Sequence, residues 1–144
     1  DGALEKLFIQ LDRELNVVAK DLELGYSNNV NWEKNYSGFW FWSKNWKYVV
    51  LGFQFQEYDK GLHFGFSRKK EIKKLPDELL FSFSEMAKGI GKQTSWWPLD
   101  LQVEAPFNNW EKFEAWKAIA DGRMEKVFRE KIENLLVMTK DWNL

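Results

Sequence analysis

Asp59, followed along the chain by Glu71-Ile72-Lys73, sets two carboxylates and a lysine in the order that metal-dependent nucleases use. In that chemistry the carboxylates hold a divalent ion, Mg²⁺ or Mn²⁺, and the lysine assists the attacking water. The tripeptide has to lie on a buried strand for its groups to keep a fixed relation to the metal. Here it falls inside SRKKEIKK, where five basic residues, Arg68, Lys69, Lys70, Lys73 and Lys74, surround Glu71. Such a run reads as a solvated loop, and with 30 % charged residues an acid-x-lysine triplet arises by chance. Asp59, Glu71 and Lys73 therefore stand only as an alternative, a small nuclease, and no residue is read as catalytic. His63 is the single histidine and cysteine is absent, which excludes multi-histidine sites, thiolate metal sites and disulfides. No phosphate-binding loop, dinucleotide fingerprint or serine elbow occurs, so no cofactor is expected. The basic run is also the one local patch that could touch phosphates, through Arg68, Lys69 and Lys70.

A second kind of chemistry lies in GFWFWSKNWKY, Gly38 to Tyr48, where three tryptophans, two phenylalanines and a tyrosine crowd around a short polar turn. Strand alternation separates them. Symmetric pairing about the turns sets Trp42 opposite Trp46 and Trp40 opposite Tyr48. Phe53 then lies opposite Phe64 or Phe66, and Phe55 opposite Leu62 or Phe64. One face carries Phe39, Phe41, Val49, Leu51, Phe53, Phe55, Leu62, Phe64 and Phe66 and is core. The other carries Trp40, Trp42, Trp46, Tyr48, Val50, Gly52, Gln54, Gln56, His63, Gly65 and Ser67. Glycines in mid-strand weaken a sheet unless something approaches closely, and a core face does not need two glutamines and a histidine. The candidate binding residues are therefore Trp40, Trp42, Lys44, Trp46, Tyr48, Gln54, Gln56 and His63, a platform on which a base or a sugar could stack. The expectation is that Trp96-Trp97-Pro98 or the final helices cover it.

The elements that must position these groups follow from periodicity. Leu4, Leu7, Phe8, Leu11, Leu15 and Val18 share one helical stripe ending before Gly25, followed by an asparagine-rich loop to Ser37. Phe39–Trp42, Trp46–Glu57 and Leu62–Arg68 read as three strands in a meander. Pro76 with Asp77 and Glu78 starts a helix that ends at Gly89 or Gly91. KQTSWWPLDLQVEAPF reads as irregular. Asn108 or Asn109 then caps a helix through Trp110, Phe113 and Trp116, and Asp121-Gly122 divides it from a last one along Met124, Phe128, Ile132 and Leu135. The expected class is α+β: an antiparallel meander of three strands, with room for a fourth, packed on one face by helices in the order α-β-β-β-α-α-α.

The 144 residues fit one domain, and their 17 % aromatic content can build a large core. The net charge of -1 gives no global field toward nucleic acid or anionic membrane. The chain begins Asp-Gly, which suggests a piece of a longer protein. Missing cysteines fit a reducing, cytoplasmic compartment, and no apolar run reaches the ~20 residues a membrane helix needs. Asn35-Tyr36-Ser37 matches a glycosylation acceptor, a chance match in such a setting. The partner is not named by the sequence; nucleic acid or another protein are the candidates, and a membrane is not.

GLHFGFSRKK, SWWPLDLQVEAPFNNW and AIADGRMEKVFREKIENLL together resemble the C-terminal part of bacterial proteins of the PD-(D/E)XK nuclease superfamily. The similar elements are a Gly-aromatic-x-Gly-aromatic strand, a Trp-Trp-Pro segment, an acidic-Gly break and a Lys-Glu-rich last helix, over roughly residues 38 to 140. In that family the nuclease core and its carboxylates precede this region. The resemblance thus implies an accessory binding or regulatory domain without catalytic residues of its own.

Overall fold

The computed structural model describes residues 2–144. Helix α1 (Gly2–Asp21) buries Leu11, Leu15 and Val18, as its stripe requires. Four strands follow: β1 (Gly25–Asn28), β2 (Gly38–Trp42), β3 (Val49–Glu57) and β4 (Lys60–Arg68). Helix α2 (Asp77–Ala87) precedes β5 (Leu99–Gln102), and α3 (Phe113–Ala120) and α4 (Arg123–Met138) close the chain. The strands form one antiparallel sheet in chain order, β1-β2-β3-β4-β5. Among the described residues no helix is long and apolar enough to cross a membrane.

The class is α+β, but the three-stranded meander is the middle of a five-stranded sheet. The two added strands sit at the edges and carry weak signals. β1 is Gly-Tyr-Ser-Asn, poor in strand formers, and β5 is Leu-Asp-Leu-Gln, with an aspartate where alternation would be read. The element order becomes α-β-β-β-β-α-β-α-α. Trp110 lies ahead of α3 rather than within it, and Phe113 at the start of that helix is 75 % exposed. The break at Asp121-Gly122 is real: Gly122 adopts φ 86°, the left-handed region in which glycine is unstrained, and α4 starts at once.

Pairing in the central hairpin runs as alternation predicts, with Phe53 opposite Phe64 and Phe55 opposite Leu62. The β2–β3 register differs. Trp40 lies opposite Gly52 and Phe41 opposite Leu51, so the connection is the wider stretch 43–48. The shift is even-numbered, and both sheet faces therefore survive it. Phe39, Phe41, Leu51, Phe53, Phe55, Leu62 and Phe66 are fully buried on the inner face. Phe128 of α4 stacks on Phe53 at 4.1 Å and Phe83 of α2 meets Phe66 at 5.3 Å. Helices thus cover this face, and the molecule has two layers.

Candidate functional site

The outer sheet face begins with β2, whose alternation turns Trp40 and Trp42 away from the core. Both indoles lie down on neighbouring glycines. A Cβ added at Gly25 would come within 2.4 Å of the Trp42 ring; one at Gly52 or Gly38 would come within 2.4 or 2.8 Å of Trp40. The close approach that mid-strand glycines demand is therefore made by the chain's own tryptophans. Trp40 is oriented further by Asn29, whose Oδ1 accepts from Trp40 Nε1 and from the Gly38 N–H, each at 2.9 Å. Asn29 belongs to the asparagine-rich loop, which folds through side-chain-to-backbone bonds of this kind.

Trp97 covers half of the face. Its ring lies 6.0 Å from Trp40, 4.7 Å from the His63 ring and against Gly52. Beneath it His63 and Asp100 are both buried, with His63 Nδ1 2.8 Å from Asp100 Oδ1. Cross-strand neighbours of His63 are Gln54 on β3 and Gln102 on β5. Gly65 lets β5 come close: its φ is 151°, and a Cβ there would lie 2.0 Å from the Leu99 carbonyl oxygen. The expected cover from Trp96-Trp97-Pro98 is thus present over the His63 half, while Trp40 and Trp42 stay partly exposed. The final helices lie on the opposite face.

An imidazole held by a carboxylate is half of a nucleophile-activating arrangement. Among the described residues, however, the His63 ring has its hydrogen bond to Asp100 and no serine or threonine hydroxyl bonded to it. No three histidine, aspartate or glutamate side chains converge as a metal site among those residues. Asp59 sits in the β3–β4 turn, whereas Glu71 and Lys73 follow the far end of β4 and are exposed. The structure does not bring the three together.

Of the other predicted residues, Gln54, Gln56 and His63 share the outer face with Trp40 and Trp42. Trp46 and Tyr48 do not. They lie in the 43–48 connection, where strand alternation has no force, and both pack against the core side. The Trp46 ring meets Phe66 edge-on at 5.8 Å, and the Tyr48 N–H donates to the Leu144 carbonyl at 2.7 Å. Lys44 is exposed at the turn. Arg68 stacks 4.0 Å over Trp96 and donates to the carbonyls of Ser95 and Ile72, and Lys69 Nζ donates to the Trp46 carbonyl. Of Arg68, Lys69 and Lys70, Lys70 alone is exposed, as are Lys73 and Lys74 further along the run. Within the five-stranded sheet the ionisable side chains on this face, among the described residues, are the buried His63–Asp100 pair, and the exposed Lys92 is bridged to Asp100 at the outer edge of β5.

Asn29 and Asp100 escaped sequence reasoning. The single signal for Asn29 was the asparagine density of its loop, and Asp100 was hidden in a stretch read as irregular. No family model, curated protein or solved structure matches this chain. The chemistry of the face is what defines the candidate site.

Proposed function

We propose that the chain is a non-catalytic binding domain, and that its ligand is a neutral ring-bearing molecule, a carbohydrate, seated on the outer sheet face. The observation that carries this is the laying of Trp40 and Trp42 flat on Gly25, Gly38 and Gly52. An indole held that way offers its broad ring surface outward, and the Asn29 bond fixes it before any ligand arrives, so little rotamer freedom is lost on binding. Amide and hydroxyl groups of Gln54, Gln102 and Ser27 share the face with the rings, as does Gln56 by alternation, and can pair with ligand hydroxyls. Among the described residues the five strands place no lysine or arginine on this face, Lys92 stands only at its β5 edge, and the neighbouring Arg68 and Lys69 are engaged by the chain's own carbonyls. A phosphate backbone would find little to neutralise it there. An accessory role beside a nuclease-like core, in the cytoplasm, is supported by the sequence resemblance and by the lack of cysteine.

The test is titration of the purified chain with a panel of neutral oligosaccharides and with single-stranded oligonucleotides, followed by tryptophan fluorescence. The expected result is a saccharide-dependent change that Trp42→Ala abolishes while the melting temperature holds. Oligonucleotide binding that weakens steeply with salt, with no response to any saccharide, would replace this reading by the nucleic-acid one.

A further inference from the structure

The asparagine-rich loop does a second thing: it delivers Trp32. Asn31 Oδ1 accepts from the Glu33 N–H at 3.0 Å, and the Asn31 N–H donates to Ser37 Oγ at 2.8 Å, closing the loop around the indole. Trp32 then lies 5.7 Å from Phe8 at 85°, 6.0 Å from Trp110, and 6.3 Å from Trp116 at 70°. Trp110 and Trp116 are 5.6 Å apart at 69°. These rings wall a cleft of 560 Å³ beside the first turns of α1, which continues past Leu4 and Trp116 into a groove of 690 Å³ beneath Phe113. The indole N–H groups of Trp110 and Trp116 are bonded internally, to the carbonyls of Phe107 and Trp110. Both side chains are nearly fully buried and form the floor of the cleft, so its accessible ring surface comes chiefly from Trp32, which is 36 % exposed.

One carboxylate, Asp59, lines both parts of the cleft. It forms no ion pair among the described residues; the adjacent Lys60 reaches instead toward Glu57 at 3.8 Å and Glu111 at 3.7 Å. Glu5 lies at one rim and Glu111 at the other, against Lys117 as the groove's one basic side chain. We propose that this cleft is a second binding site, for the head of a quaternary or alkyl-substituted ammonium compound. Three features point to that class. Aromatic walls attract a cation through their quadrupoles, most strongly when it is weakly hydrated. A quaternary ammonium has no N–H and needs no acceptor for each proton, unlike the compact, strongly hydrated ammonium of lysine. The acidic groups Glu5, Asp59 and Glu111 do not converge as a set of metal ligands among the described residues, whereas Asp59, shared by both parts of the cleft, suffices as counter-ion to one organic cation. Burial, and secondarily the charge of Glu111, hold the Asp59 carboxyl above the usual carboxylate range, and a bound cation would relieve that penalty.

The experiment compares choline with 3,3-dimethyl-1-butanol, its uncharged carbon isostere, by following indole N–H resonances during titration. Choline should shift the Trp32, Trp110 and Trp116 signals, and the isostere should bind at least about tenfold more weakly. Asp59→Asn should cost choline a similar factor with an unchanged circular dichroism spectrum and melt, and Trp32→Ala should also weaken it. Equal affinity for the two compounds, or choline binding unaltered in Asp59→Asn, would mean the cleft is merely apolar. No shift with choline at millimolar concentrations would remove the site altogether. Neither outcome bears on the outer-face proposal, because the cleft lies on the helix side of the sheet.

Discussion

Glu14 shows how a single side chain can oppose the fold that contains it. It sits on α1, and its Oε1 is buried without a hydrogen-bond partner. Burial pushes its carboxyl above the ordinary value of 4.5, a hydrogen bond with Gln10 offsets part of that, and the charge of Glu125 adds to it. A raised folded-state pKa means the native state holds the proton more tightly than the unfolded chain. The associated stability is complete below the unfolded value and is lost as pH rises through the folded one. Ionising Glu14 in the folded protein is therefore a net cost. Glu14→Gln should stabilise the protein by on the order of 1 kcal/mol at pH 7, with the gain vanishing toward pH 4. Thermal melts of both proteins at the two pH values check this; an equal gain at both would show that ionisation is not the cause.

Among the elements, the glycines separate close approach from mere conformational need. Gly89 has φ 79° and open space around it, whereas Gly65 has φ 151° and the Leu99 carbonyl where its Cβ would be. Gly89→Ala should cost about 1 kcal/mol of backbone strain. Gly65→Ala should cost well over about 2 kcal/mol, because it forces β5 away from β4 and unseats Trp97 from His63. Urea denaturation of the pair measures the difference, and equal losses would deny that β5 depends on the close contact. Core packing gives a second check at this scale. Phe53→Ala removes the ring stacked between Phe128 and Phe64 and should cost ~3–5 kcal/mol.

These elements also show what could be read from residues alone. Period-two alternation separated the phenylalanine face from the tryptophan face and paired Phe53 with Phe64, because a buried face specifies its own register. It could not find β1 or β5, which at four residues each are held by their neighbours' hydrogen bonds more than by their own composition. It misassigned Trp46, since a connection has no alternation to obey. Trp32 is invisible as a site residue because its position depends on the Asn31 side-chain turn and the closure of the loop by Ser37, a pattern with no period. Alternation does turn Trp40 and Trp42 away from the core, and the glycines beneath them are legible only as positions needing a close approach.

The whole molecule is organised by the β3–β4 hairpin, and its length decides the fate of the Asp59, Glu71 and Lys73 alternative. Asp59 occupies the turn, and the chain passes through all nine residues of β4 before reaching Glu71. At about 3.4 Å per residue that is roughly 27 Å of extended strand. Carboxylates sharing one divalent ion must each lie within about 2–2.6 Å of it. Loop motion at either end cannot close such a gap while the hairpin persists, and its inner residues Phe53, Phe55, Leu62 and Phe66 are fully buried. With Mg²⁺ or Mn²⁺ and plasmid or single-stranded DNA, the chain alone should show no cleavage that depends on this trio. Any trace of nicking should be unchanged in Glu71→Ala and in Asp59→Asn. Cleavage abolished by Glu71→Ala and restored by mixing that variant with Asp59→Asn would show two copies building the site between them, the one arrangement in which opposite ends of this hairpin can meet.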